Sequence, residues 1–258
     1  MKSSLTVSVL SVSAVLLSFP VLQTEAVPTQ NESFEQWCLQ KDLLPVETKK
    51  TVEALLKKVG TQDCKLADLK FKSFSELLLD DNKISDLKPL ASLKNLTFLG
   101  LSLNQVRDIT PLAGLTNLTI LSLANNQISD ITPLADLTKL TELYLEENQI
   151  SDITPLAAMT NLKRLHLEGN KISNIKPLSN LTKLTTIHLS FNQITDVKPL
   201  SDLTKLTTIY LNFNQIIDVK SLSHLTNLIY ISLYNNPIIE KVCPVKPKSV
   251  CNFSTPEI

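Results

Sequence analysis

His166 and His188 stand 22 residues apart, and each is followed two places later by a second reactive type, Glu168 and Ser190. Laid out at that interval the four form a two-by-two block of groups able to ligate a metal or activate a serine, and Glu146 falls one interval before Glu168. The same interval carries Tyr144 into His166 and His188 into Tyr210, so Tyr144, His166, His188 and Tyr210 make one column. Glu142, Glu147 and Arg164 lie close by in the sequence, and Phe191, Phe213, Tyr230 and Tyr234 come in the later units. Exposed tyrosine, phenylalanine and arginine gathered in one patch are the material of protein-binding hot spots, whereas histidine with carboxylate is the material of a metal or acid–base site. The choice depends on what holds these residues at their interval.

The interval belongs to a ladder of asparagines. Asn82, Asn104, Asn126, Asn148, Asn170, Asn192, Asn214 and Asn236 recur every 22 residues without an insertion. Around each runs one frame, clearest in Leu121-Ser122-Leu123-Ala124-Asn125-Asn126-Gln127-Ile128. The Leu121 and Leu123 pair alternates with outward residues, as a strand with one buried face requires, and Ile128, Ile131, Leu134, Leu137 and Leu140 must also point inward. One unit cannot shield so many aliphatic groups, so neighbours stack and share a core. A turn buried in such a stack leaves backbone groups unpaired, and an amide side chain supplies both donors and an acceptor. The asparagine ladder is therefore read as structural and not as a catalytic row. Asp86, Asp108, Asp130, Asp152, Asp196 and Asp218, with Asn174 in the fifth unit, form another column; prolines from Pro89 to Pro199 follow three residues later, with Ser221 in the seventh. Proline suits the start of a short helical turn, and the acid before it can accept free N–H groups. A calcium ladder is the rival explanation, but Ca²⁺ needs roughly six or more converging oxygens, so no metal is assigned.

The L-x-L-x-x-N-x-I frame, with the iterated N-Q-I-S-D-I-T-P-L-A-x-L-T-x-L-T segments at Asn126 to Thr141 and Asn148 to Leu162, resembles the 22-residue leucine-rich repeats of the internalin-like class. The resemblance implies a right-handed curved solenoid, with parallel β-strands on its concave face and short 3-10 or helical turns on its convex face. It also implies that ligands are held by concave residues. No immunoglobulin-like, wall-anchoring or catalytic segment is expected after the repeats, so the resemblance carries the fold and not a host-cell ligand.

The flanks are read as follows. Met1 and Lys2 precede an apolar stretch from Leu5 to Leu22, and Thr24-Glu25-Ala26 has small residues where a signal peptidase reads, so residues 1–26 are expected to be a secretory signal peptide. Residues 27–73 are expected to form an N-terminal cap with a helix near 46–59, stopped by Gly60; the spacing of Leu66, Leu69, Phe71 and Phe74 suggests an imperfect repeat. Eight repeats fill 74–238, and 239–258 close the other end, where Cys243-Pro244-Val245-Lys246-Pro247 is too proline-rich to continue a sheet. Cys38 and Cys64 precede the repeats and Cys243 and Cys251 follow them. Eight strands at about 4.8 Å separate the ends by roughly 30 Å, and a disulfide needs Cα atoms within about 7 Å, so the pairs must be Cys38–Cys64 and Cys243–Cys251. Disulfides and a signal together place the protein outside the cytoplasm, secreted or in the cell envelope.

Formal charge is zero, and removing the signal keeps it zero because Lys2 and Glu25 cancel. A nucleic-acid or anionic-membrane partner would need a basic stripe, and after signal cleavage no stretch could cross a bilayer. Binding must come from variable strand positions. Those four and two places before each asparagine are expected to face the concave side, with those six and one before bordering it. The ligand-binding set is then Tyr144, Glu146, Arg164, His166, Glu168, His188, Phe191, Tyr210, Phe213, Tyr230 and Tyr234. An open sheet excludes little water and offers no oxyanion donors, so the histidine block is expected to be non-catalytic, without cofactor or metal. The expected function is recognition of a protein ligand, with a glycan as the other class, since sugar rings also stack on exposed tyrosine and phenylalanine.

Overall fold

Each 22-residue unit makes one turn of a solenoid, and the computed structural model describes residues 32–254 of it and its flanks. The expected signal peptide lies outside the described residues. The turn begins with a three-residue strand: β1 (Glu76–Leu78), β2 (Phe98–Gly100), β3 (Ile120–Ser122), β4 (Glu142–Tyr144), β5 (Arg164–His166), β6 (Thr186–His188), β7 (Thr208–Tyr210) and β8 (Tyr230–Ser232). All pair in parallel and in register, so that Tyr144 lies beside His166, His166 beside His188, and His188 beside Tyr210. The middle residue of each strand points inward, and in the third unit Leu121, Leu123, Ile128, Leu134, Leu137 and Leu140 are all fully buried. Burying one such side chain contributes roughly 1.5–3 kcal/mol, but only if neighbouring turns cover it.

Convex turns follow from the aspartate and proline columns. Thr132–Leu134 is a 3-10 helix with proline in its first turn, and the Asp130 carboxylate accepts the Thr132 N–H at 2.8 Å. Asn174 accepts the Lys176 N–H at 3.0 Å in the same manner. Local hydrogen bonding accounts for the column.

The asparagines tie turn to turn. Asn148 Nδ2 donates to the carbonyls of Leu123 (3.0 Å), Leu145 (3.1 Å) and Glu146 (3.2 Å), while its Oδ1 accepts the Ile128 N–H at 3.0 Å. The same arrangement recurs at Asn126, Asn170, Asn192 and Asn214, whose side chains are almost wholly buried. Immediately before each asparagine the chain passes through the left-handed region: Asp81, Leu103, Asn125, Glu147, Gly169, Phe191, Phe213 and Asn235 all have φ between 53° and 64°.

Three helices close the N-terminal end: α1 (Phe34–Leu39), capped by Ser33 and Gln36; α2 (Val46–Val59), ended by Gly60 at φ 71°; and α3 (Cys64–Phe71), capped by Asp63. Phe34, Trp37, Leu55, Leu56 and Phe71 are buried in the core shared with the first repeat. Thr48 and Thr51 dock α2 on Asp86 at 2.6 and 2.7 Å. Leu66, Leu69, Phe71 and Phe74 do not form a degenerate repeat. They fall on and just after α3, with Leu66 and Leu69 exposed, because the Asp63 carboxylate bonded to the Leu66 N–H starts a helix there.

At the other end the sheet runs further than its composition suggests. The proline segment adds no strand, but the chain returns beyond it as β9 (Cys251–Asn252), which pairs in parallel with β8 and makes the sheet nine-stranded. Disulfides join Cys38 to Cys64 and Cys243 to Cys251. Closing the 26-residue separation of the first contributes about 3–4 kcal/mol in the chain-entropy model. Among the described residues no helix is long and apolar enough to cross a membrane.

Candidate ligand-binding face

Parallel pairing in register converts the sequence column into a row of rings. Tyr144 meets His166 edge-on with centroids 4.7 Å apart, His166 stacks on His188 at 3.9 Å, His188 tilts against Tyr210 at 4.3 Å, and Tyr210 against Tyr230 at 5.3 Å. Residues six places before each asparagine stand at the start of the strands, on the edge of the sheet. They face outward, and Glu142 lies in β4, where its carboxylate accepts from the Tyr144 hydroxyl at 2.6 Å and from Arg164 at 2.9 Å. That bond and partial burial push the Tyr144 hydroxyl up to about 12, with burial the larger cause.

The histidine–carboxylate block assembles only in part. Ser190 is 3% exposed and its hydroxyl lies 2.6 Å from Asn212 Oδ1, which also accepts from Ser232 at 3.1 Å. The serine is thus held by an amide and no histidine serves as its base. His188 Nδ1 sits 3.6 Å from Glu168, close enough for attraction but long for a hydrogen bond. Among the described residues no group of three histidines, cysteines or acids could hold a metal ion. Burial lowers both imidazoles, His166 to about 4, with the His188 and Arg164 charges adding to the effect; Glu168 partly opposes it at His188. Both imidazoles are thus biased toward their neutral form.

This bias has a measurable consequence. A histidine whose folded pKa lies below its unfolded value binds fewer protons when folded, so its contribution is complete above about pH 6.5 and is lost as pH falls toward about 4. Relative to His166→Phe, the native chain should lose about 1–2 kcal/mol across that window, after allowance for solvent screening at this half-buried ring. Denaturant unfolding of both chains at several pH values checks this. Parallel pH profiles would overturn it. Comparing the two chains also removes the opposing contribution of Glu146, whose carboxyl burial raises.

A second ring series borders the first. Phe191 stacks on Phe213 at 4.2 Å, and Phe213 meets Tyr234 edge-on at 5.5 Å. Phe191 and Phe213 are 50% and 38% exposed, and both occupy the left-handed position before a ladder asparagine. Leu103, 57% exposed, occupies it in the second repeat. A non-glycine side chain in this region costs roughly 1–2 kcal/mol, which asparagine partly escapes by local hydrogen bonding.

The family model described as leucine-rich repeats (two copies) matches residues 75–114, 116–158, 160–203 and 204–247. The structure of internalin C2 from Listeria monocytogenes superposes with a TM-score of 0.71 at 34% identity, covering 77% of this chain and 88% of that one. The chain is an internalin-like leucine-rich-repeat protein. An internalin (inlF) of the same species matches with a TM-score of 0.61 at 30% identity, over 74% of this chain and 64% of that one. A leucine-rich-repeat protein of Leptospira interrogans matches with a TM-score of 0.63 at 29% identity, over 71% and 49%. The chain thus spans less than two thirds of these two relatives' length. No protein of curated function matches it.

Within this leucine-rich-repeat protein the ring rows bring together Tyr144, His166, His188, Tyr210, Tyr230, Phe191, Phe213 and Tyr234. Arg164 is drawn to Glu142 at one end. Glu146 and Glu168 lie beside the rings, and Glu146 Oε2 is buried without a hydrogen-bond partner. Sequence reasoning did not single out Leu103 or the strain at its column. The signal was present in Asn125, Gly169 and Asn235, residue types that tolerate positive φ, at the very positions where Leu103, Phe191 and Phe213 stand.

Proposed function

We propose that this leucine-rich-repeat protein is a non-catalytic binding module that takes a protein ligand on its concave face, outside the cytoplasm. Tyr144, Glu146, Arg164, His166, Glu168, His188, Phe191, Tyr210, Phe213, Tyr230 and Tyr234 are its contact residues. The observation that carries this reading is the pair Phe191 and Phe213, which are exposed, stacked and held at a backbone conformation that the third, fifth and eighth repeats fill with asparagine or glycine. The fold needs no phenylalanine there, and large apolar rings kept exposed at a conformational cost serve as interface anchors. Two disulfides favour an oxidising compartment. We assign residues 1–26 to a signal peptide, 27–73 and 239–258 to caps, and 74–238 to the repeats.

The test is affinity capture from native extracellular and envelope extract, with mass-spectrometric identification. The chain is run beside a version in which Tyr144, His166, His188 and Tyr210 are changed to serine. Retention of a protein by the first chain and its loss from the second is the expected result. Equal capture by both would take the Tyr144–Tyr210 row out of the contact surface. A glycan-array signal removed by Tyr144→Ala or Tyr210→Ala, with no protein captured, would assign the face to sugar rings.

A further inference from the structure

The chain's zero net charge conceals a strong separation of charge. The outward positions of the solenoid's inner face carry Glu76, Asp80 and Asp81 in the first repeat, Glu142, Glu146 and Glu147 in the fourth, and Glu168 in the fifth. Against these seven carboxylates stands one cation, Arg164, giving a formal charge of six negative; the rest of the neutral chain therefore carries six positive. Arg164 is spent on Glu142. Among the described residues neither Glu146 nor Glu147 forms an ion pair, and the one pairing contact of Glu168 is with the His188 imidazole at 3.6 Å.

These carboxylates are also crowded. Glu146 has both Glu147 and Glu168 close enough to oppose its ionisation, and its buried Oε2 accepts no hydrogen bond. Gly169 makes room for the Glu147 carboxylate, since a Cβ there would fall 2.5 Å from Glu147 Oε1. A buried carboxylate oxygen left unpaired, flanked by two like charges, is unfavourable in the free protein, and an incoming cation would relieve all three. On the same face stand Tyr144 and Tyr210, with Phe191 and Phe213 at the rim, whose ring faces attract a desolvated ammonium or guanidinium.

Building on the concave-face reading, we infer that the partner is a protein surface presenting lysine or arginine beside an apolar side chain, the cation entering among Glu146, Glu147 and Glu168 and the apolar group resting on Phe191 and Phe213. Anionic glycans, nucleic acids and acidic membranes are repelled by this face.

The inference is tested with a random dodecapeptide library displayed on phage, selected against the chain. Enriched peptides should carry lysine or arginine next to an aromatic or aliphatic residue. Their affinity should fall about tenfold in the triple variant Glu146→Gln, Glu147→Gln, Glu168→Gln, the sum of three partly screened charge contacts, and the salt dependence of binding should flatten with it. Glutamine preserves shape, and unfolding curves of the variant establish that it folds. Peptides that require Tyr144, Phe191 and Phe213 yet show no excess of basic residues, or bind the triple variant unchanged, would overturn this inference and leave concave-face binding standing. Peptides indifferent to the aromatic substitutions as well would overturn both. A library that yields no binder also counts against a basic peptide surface as the partner.

Discussion

Asn148→Ala is expected to destabilise the solenoid by about 3–5 kcal/mol, more than any substitution on the outward face. Asn148 bridges the third and fourth turns with three donated bonds and one accepted bond. The losses differ in kind. The Leu123 and Leu145 carbonyls each keep a second amide, from Asn126 and Asn170, so they lose one bond of two. The Ile128 N–H has only Asn148 Oδ1 as its hydrogen-bond acceptor, and leaving it buried and unpaired costs roughly 1–3 kcal/mol by itself. Asn82 provides the contrast, since it begins the ladder, is less buried, and its side chain donates only to the Asp80 carbonyl. Asn82→Ala should cost about 1 kcal/mol. Urea titrations followed by circular dichroism measure both, and similar losses at the two positions would refute the bridging account.

Phe191→Asn combined with Phe213→Asn is expected to weaken the captured partner's affinity about a hundredfold while changing stability by less than about 1 kcal/mol. Hot-spot rings contribute roughly 2 kcal/mol or more each, and two rings stacked on one another share part of that. Stability should hardly move because two effects oppose. The stacked pair is worth about 0.5–1.5 kcal/mol, and asparagine relieves a comparable strain at positive φ. Asn125 and Asn235 already occupy that position in this chain. Leu103→Asn is the control, with the same backbone geometry in a repeat outside the ring cluster, and it should leave affinity nearly unchanged. Calorimetric titration and thermal melts on the three chains decide it. Retained affinity in the folded double variant would remove the phenylalanines from the interface.

The architecture was legible in the sequence because it rests on short-range periodicity. A leucine column, an asparagine every 22 residues and an aspartate–proline turn recur at one short interval, so each unit states the rule again. Parallel register then follows, and with it the placement of Tyr144, His166, His188 and Tyr210 in one row. The disulfide pairing was legible for the same reason, since a stack of known rise keeps its ends apart. What fails to repeat was harder to read. Leu66 and Leu69 imitate the repeat spacing, yet a local cap at Asp63 turns them into a helix, and β9 forms beyond a proline segment that looks like a stop.

Only the tertiary structure decided which of the gathered groups can act. Ser190 shares a block with two histidines in the sequence, but its hydroxyl turns to Asn212 in the next repeat, a choice made by side-chain geometry across turns. Burial lowers the pKa of both imidazoles by stripping them of water, which no interval records. Backbone strain at Leu103, Phe191 and Phe213 arises from the left-handed bend before each buried asparagine, a torsion that composition cannot show. Net charge, a sum without positions, reads zero, while the outward positions of the inner face carry seven acids against one base. The chain's periodicity determines the scaffold, and the packing of one turn against the next determines which outward side chains are left free to bind.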